Sequence, residues 1–100
     1  MRAQENLSAA LRLFSRKPIK ITVILKGAFM VNQMVLSSEI EWIGYENKTQ
    51  MLQVEFIAGG IYQYERVPES VYQSFLSADS HGRFFESHVK GRFQYRKVRA

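Results

Sequence analysis

Gly59-Gly60-Ile61-Tyr62-Gln63-Tyr64 is followed by Val67-Pro68-Glu69 and then by Ala78-Asp79-Ser80-His81-Gly82. In order, these segments specify a hairpin turn, an aromatic strand, a helix start and a helix stop. Glycines accept positive φ, alternating aromatics suit a half-buried strand, and proline is pre-set for the first helical position. Upstream, Ile40 and Trp42 alternate with Glu39 and Glu41, and Leu52, Val54 and Phe56 alternate with Gln53 and Glu55, as in strands with one buried face. Polar Glu46-Asn47-Lys48-Thr49-Gln50 reads as the loop between them. That loop length sets Trp42 opposite Val54 and Ile40 opposite Phe56, uniting the apolar faces. For the next turn, Gly59-Gly60 alone would place Phe56 against Gln63 and mix the faces. Ala58-Gly59-Gly60 places Phe56 against Tyr62 and Val54 against Tyr64, so a three-residue turn with a positive-φ glycine is expected.

At Val67-Pro68-Glu69 the period changes. Val71, Phe75 and Ala78, joined by Tyr72 and Leu76, form the apolar face of a helix that should end near Asp79-Ser80, with Gly82 marking the break. Arg83 to Lys90 reads as a second short helix that returns Phe84, Phe85 and Val89 to the sheet. Phe93 and Tyr95 alternate with Arg92, Gln94 and Arg96, as in a last strand or an extended tail. The expected fold is α+β: a three- or four-stranded antiparallel sheet with one or two short helices packed on one face.

Ile43-Gly44-Tyr45, Tyr62 and Tyr64, Pro68, Ser80, Gly82, Phe84-Phe85, Lys90-Gly91-Arg92 and Tyr95 form an ordered series of landmarks. Over about Ser38 to Arg96 the chain resembles the KTSC domain on these residues. The resemblance implies a small bacterial module, found as a stand-alone chain and at the C-terminus of some lysyl-tRNA synthetases, for which RNA binding is the usual suggestion. It also implies that Tyr45, Tyr62, Tyr64, Pro68, Ser80 and Gly82 belong to the family's motif, in structural roles. Phe93 stands where an aromatic, often tyrosine, is usual.

A chain of 100 residues forms one domain at most, and at this size only about 60–65% of the unfolded chain's surface is buried. A deep catalytic cleft is not expected. The absence of cysteine excludes a disulfide framework, a thiolate metal site and a cysteine nucleophile. The apolar stretch from Ile19 to Val35 is interrupted by Lys20, Lys26, Asn32 and Gln33, short of the roughly 18–20 apolar residues that cross a bilayer. A cytoplasmic protein without a membrane segment is expected.

The net charge of +5 resides in residues 1–33, where Arg2, Arg12, Arg16, Lys17, Lys20 and Lys26 stand against Glu5 alone. Residues 34–100, read as the KTSC-like domain, balance eight basic residues with eight acidic ones. Within them the charge is polarised, and the stretch from Arg83 to Arg99 is strongly basic. The first 33 residues read as a leader or extension. Lys26-Gly27-Ala28-Phe29-Met30 can be encoded by a purine-rich AAAGGAG tract, a short spacer and ATG, the layout of a bacterial ribosome-binding site. Met30, or failing that Met34, is then the natural start, and residues 1–29 are translated leader. The alternative is a real extension: a short helix on Leu7, Ala10, Leu11 and Phe14 ended by Pro18, then a strand over Ile19–Leu25. The Arg-rich, acid-poor composition also fits an organellar transit peptide, a reading that a bacterial family disfavours.

No catalytic or cofactor-binding constellation is expected. His81 and His88 would share a helix face only if Gly82 did not intervene, and no nucleophile elbow, zinc helix or phosphate loop is present. Two histidines with Glu86 leave a metal's coordination unfilled. Tyr62 and Tyr64 share one strand face, as the stacking aromatics of sheet-based RNA binders do. The register makes that face the core, which favours burial of the rings. The basic end, with Arg83, Lys90, Arg92, Arg96, Lys97 and Arg99 interleaved with Phe93 and Tyr95, combines charge with stacking surfaces; a solvated basic tail is its ordinary alternative. Two functions are carried forward. One is weak binding of tRNA-like or single-stranded RNA, with Arg83, Lys90 and Arg92 on phosphate and Tyr95 or Phe93 stacking. The other is a protein-interaction module docking through Ile43, Tyr45 and Ile57, which are expected on the sheet face away from the core.

Overall fold

The computed structural model describes residues 18–25 and 28–99. The helix expected on Leu7, Ala10, Leu11 and Phe14 lies outside these residues. One antiparallel sheet runs in sequence order through β1 (Ile19–Leu25), β2 (Ala28–Met34), β3 (Ile40–Glu46), β4 (Met51–Phe56), β5 (Ile61–Tyr64) and β6 (Tyr95–Arg99). Between β5 and β6 the chain forms α1 (Glu69–Leu76) and α2 (His81–Phe84), which continues through a π-helical turn at Phe85–Val89. The class is α+β with short helices, as expected. The sheet has six strands rather than three or four, because β1 and β2 lie ahead of the family landmarks and the residues after Gln94 pair as a strand.

Ile40, Ile43, Leu52, Val54 and Tyr64 on the sheet, with Val67, Phe75, Phe85 and Val89, form the buried cluster. Removing each large apolar side chain from water contributes about 1.5–3 kcal/mol. Pro68 is the N-cap of α1 rather than its first residue, and Ser77 closes the helix by donating its hydroxyl to Gln73 O. Ser80 caps α2, accepting the Arg83 N–H at 3.2 Å. Gly82 therefore lies inside the first turn of α2 and is not the break. Its lack of a side chain has a different cause: a Cβ there would overlap the Glu39 carboxylate. His81 and His88 consequently belong to one helical segment, where His81 Nε2 meets Leu76 O at 3.2 Å and His88 stacks on Phe84.

Two registers differ from expectation. Ile40 faces Phe56, as the loop length required, but Trp42 faces Glu55 and Ile43 faces Val54. A bulge between Ile40 and Trp42 changes the phase of β3. Trp42 turns to the face away from the helices, where the Lys20 ammonium lies 4.6 Å from its ring. Ile43 becomes fully buried. Glu46 closes β3 rather than opening the loop, and its carboxylate accepts the Thr49 N–H at 2.9 Å and the Thr49 hydroxyl at 2.8 Å. These bonds, with the Lys48 N–H, hold its pKa below the ordinary 4.5.

Between β4 and β5, Val54 faces Tyr62 and Leu52 faces Tyr64. The turn is Ile57-Ala58-Gly59, closed by the Phe56 N–H to Gly60 O bond at 3.1 Å. This is a slide of two positions from the expected pairing, which leaves the faces sorted.

Candidate nucleic-acid interface

The helix side of β5 and β6 opens beside α2 into a cleft of about 610 Å³. Period-2 alternation brings Tyr62 and Tyr64 to one face of β5, and Tyr95 pairs directly with Tyr64. The Tyr95 ring lies 5.7 Å from Tyr62 and 5.4 Å from Tyr64. Phe56 meets Tyr62 edge-on at 5.6 Å and Phe85 at 5.2 Å, joining sheet to helix. Tyr64 is 4% exposed and Tyr95 is 57% exposed, so the ring wall runs from core to solvent. Burial, with smaller contributions from Tyr95, Tyr62 and Glu86, pushes the Tyr64 phenol up to about 12. At the mouth stand Glu39, Ile57, Glu86 and Lys90, with the Lys90 ammonium 3.7 Å from the Glu86 carboxylate. The Lys97 ammonium lies 5.7 Å from the Tyr62 ring centre. Gly91, at φ 76, lets the chain turn from the end of α2 toward β6.

The basic residues singled out in the sequence thus separate into groups. Lys90 and Tyr95 line the cleft, and Lys97 reaches one of its walls, over the Tyr62 ring. Arg96 points to the other sheet face, 3.5 Å from Gln63 Oε1. Arg92 lines a hollow between the helices with Ser70, Ser74, Phe84, His88 and Phe93, and Phe93 packs half-buried against the core. Arg83 lines a third hollow with Asp79 and Ser80. Sequence reading missed Glu39, Phe56 and Phe85 as cleft residues. The only advance signal was the shared strand face of Phe56, Tyr62 and Tyr64.

The proposed docking face does not exist as a surface. The bulge that buries Ile43 also turns Tyr45 toward α1, where it stacks on Tyr72 and donates its hydroxyl to Val67 O. Ile57 alone of the three is exposed, at 53%. Tyr45 and Tyr72 both ionise above the ordinary tyrosine value of 10.0, in each case chiefly through burial.

A row of side-chain hydrogen bonds crosses the face away from the helices. Asn32 Nδ2 donates to Thr22 Oγ1 at 2.8 Å, Gln53 Nε2 to Asn32 Oδ1 at 3.0 Å, and Gln63 Nε2 to Gln53 Oε1 at 2.8 Å. The row passes over Gly44, where a Cβ would overlap Asn32 Oδ1 and lie 2.7 Å from Met30 Sδ. Asn32, Gln53 and Gln63 are all buried, so these bonds satisfy amides that would otherwise carry a desolvation penalty.

Among the described residues, no group of His, Asp and Glu side chains is arranged to hold a metal ion, and no helix is long and apolar enough to cross a membrane. The short helices, single sheet and open aromatic cleft define a small α+β domain. The KTSC domain profile matches residues 36–93, and the chain belongs to the KTSC domain family.

A KTSC domain protein from Yersinia pestis superimposes with a TM-score of 0.68 at 48% identity, covering 69% of this chain and 97% of that one. An uncharacterised protein of Stutzerimonas stutzeri is 46% identical over 54% of this chain and 76% of its own length. A lysine–tRNA ligase of Nostoc punctiforme is 39% identical over 61% of this chain but only 11% of the ligase. The domain therefore occurs both in small stand-alone proteins and as a minor part of lysine–tRNA ligases.

Proposed function

We propose that this chain is a non-enzymatic, cytoplasmic accessory module that binds single-stranded RNA weakly, stacking an unpaired base against Tyr95 and Tyr62 while Lys90 and Lys97 meet phosphate. The observation that carries this reading is one open cleft lined by Tyr95 and Lys90 and walled by Tyr62, Tyr64, Phe56 and Phe85, with Lys97 over the Tyr62 ring. An exposed ring beside lysines is the combination that sequence-tolerant single-strand binders use, with stacking providing about 1–3 kcal/mol per base. The presence of the domain in chains named lysine–tRNA ligase gives the reading a tRNA context.

Binding of labelled tRNA and of a mixed-sequence single strand to the full chain, followed across salt concentrations, tests it. The logarithm of affinity should fall with the logarithm of salt by about 0.7 per phosphate contact. Tyr95→Ala should weaken binding roughly fivefold or more, and Lys90→Glu should lower the salt slope. Affinity indifferent to salt, or variants that bind like the parent, would remove the proposal.

A further inference from the structure

Charge at the cleft mouth is mixed, and the carboxylates there have no role in attracting phosphate. Glu86 is engaged by Lys90 at 3.7 Å. Glu39 is not: among the described residues no side chain pairs with or donates to its carboxylate, although the residue lines the cleft. Its position is set by the backbone. Ile57 N–H donates to Glu39 O at 2.9 Å, anchoring it beside the β4–β5 turn, and the missing side chain of Gly82 lets the carboxylate lie against the first turn of α2. An exposed carboxylate with no side-chain donor of its own therefore stands between the aromatic cleft and the hollow of Asp79 and Arg83, with Oε1 against Gly82.

We infer that Glu39 reads the edge of the stacked base and selects guanine over uracil. This deepens the RNA-binding reading and rests on it. The Watson–Crick edge of guanine presents N1–H and N2–H side by side, matching both oxygens of one carboxylate through charge-assisted bonds. Adenine and cytosine each present one exocyclic amino donor. Uracil presents a single N3–H between two carbonyl oxygens, which would face the carboxylate with like partial charge. The rings supply attraction for any base, and the carboxylate supplies the difference between bases.

Titration of the full chain with guanosine, adenosine, cytidine and uridine 5′-monophosphates, followed by chemical-shift changes in its amide spectrum, tests the inference. The guanosine nucleotide should bind about fivefold or more tightly than the uridine nucleotide, the lower end of what a bidentate base contact discriminates. Glu39→Gln should remove most of that ratio. Inosine 5′-monophosphate, which lacks the 2-amino group, makes the same test without altering the protein and should bind more weakly than the guanosine nucleotide. Equal affinities, a preference for uridine, or a Glu39→Gln ratio like that of the parent would overturn the selectivity. If all nucleotides then bind equally and all weaken in Tyr95→Ala, the stacking site stands without its selectivity. If neither nucleotides nor RNA bind, both readings fall.

Discussion

Tyr45 of β3 and Tyr72 of α1 stack face to face, with ring centres 4.7 Å apart and planes inclined by 8°. The Tyr45 hydroxyl donates to Val67 O at 2.5 Å, just ahead of the Pro68 cap. One side chain thus fixes both the surface α1 rests on and the point where it starts. Tyr45→Phe keeps the stack and loses the bond, and should cost about 1 kcal/mol in urea unfolding. Tyr45→Ala loses both and should cost about 3 kcal/mol or more.

Gly44→Ala should destabilise by about 1–3 kcal/mol, through steric overlap and the parting of Asn32 from Gln53. Asn32 is fully buried and cannot swing into solvent to make room. Thermal unfolding of the variant measures the cost. A melting temperature equal to the parent's would mean that the amides can bridge β3 without the glycine.

Alkaline titration should show tyrosines that ionise late. Tyr64 has a pKa of about 12 when folded against 10.0 ordinarily, so above pH 10 the unfolded chain releases that proton more readily. Its contribution to stability is complete below pH 10 and is lost between pH 10 and about 12. Phenolate absorbance from Tyr64 should therefore appear together with loss of the folded amide spectrum, and Tyr64→Phe should remove that part of the alkaline transition.

At the acid end the sign reverses. Glu46 ionises below its ordinary 4.5 because Thr49 and Lys48 donate to the charged carboxylate. The stability it provides is present above pH 4.5 and declines as pH falls through the lowered value. Glu46→Gln should be less stable than the parent at neutral pH, and the gap should narrow in acid. A gap that does not change with pH would show that the carboxylate's charge contributes nothing there.

What the sequence disclosed follows from how local each signal was. Pro68 and Ser80 act on their own neighbours, so the helix starts were legible to within a residue or two. The sorted faces of β4 and β5 survived an error in turn placement because side-chain direction repeats every two residues. The bulge beside Trp42 was hidden, since Glu39 to Trp42 alternates without a flaw. The clue was that Ile43 and Tyr45 continue the apolar series out of phase. Taking that phase as a second surface produced a docking face where the molecule has core.

The strand at Ile19–Leu25 was visible as alternation but lay outside the family landmarks. Cleft residues Tyr95 and Lys90 were legible as an aromatic within a basic run. Glu39 was not, because only the folded β4–β5 turn and Gly82 bring it there. Gln53 and Gln63 stand at polar positions of their strands, and nothing in a single strand announces that they pair as neighbours.

The amides beneath Gly44 also all face the same way. Gln63 turns its amino group toward Gln53, Gln53 toward Asn32, and Asn32 toward Thr22, while the Arg96 guanidinium approaches the Gln63 oxygen at the far end. Rotating one of them by half a turn would set oxygen against oxygen on one flank and amino against amino on the other. The row therefore has a single sense of direction, fixed at one end by the Lys20 carbonyl, which can only accept, and at the other by the Arg96 guanidinium, which can only donate.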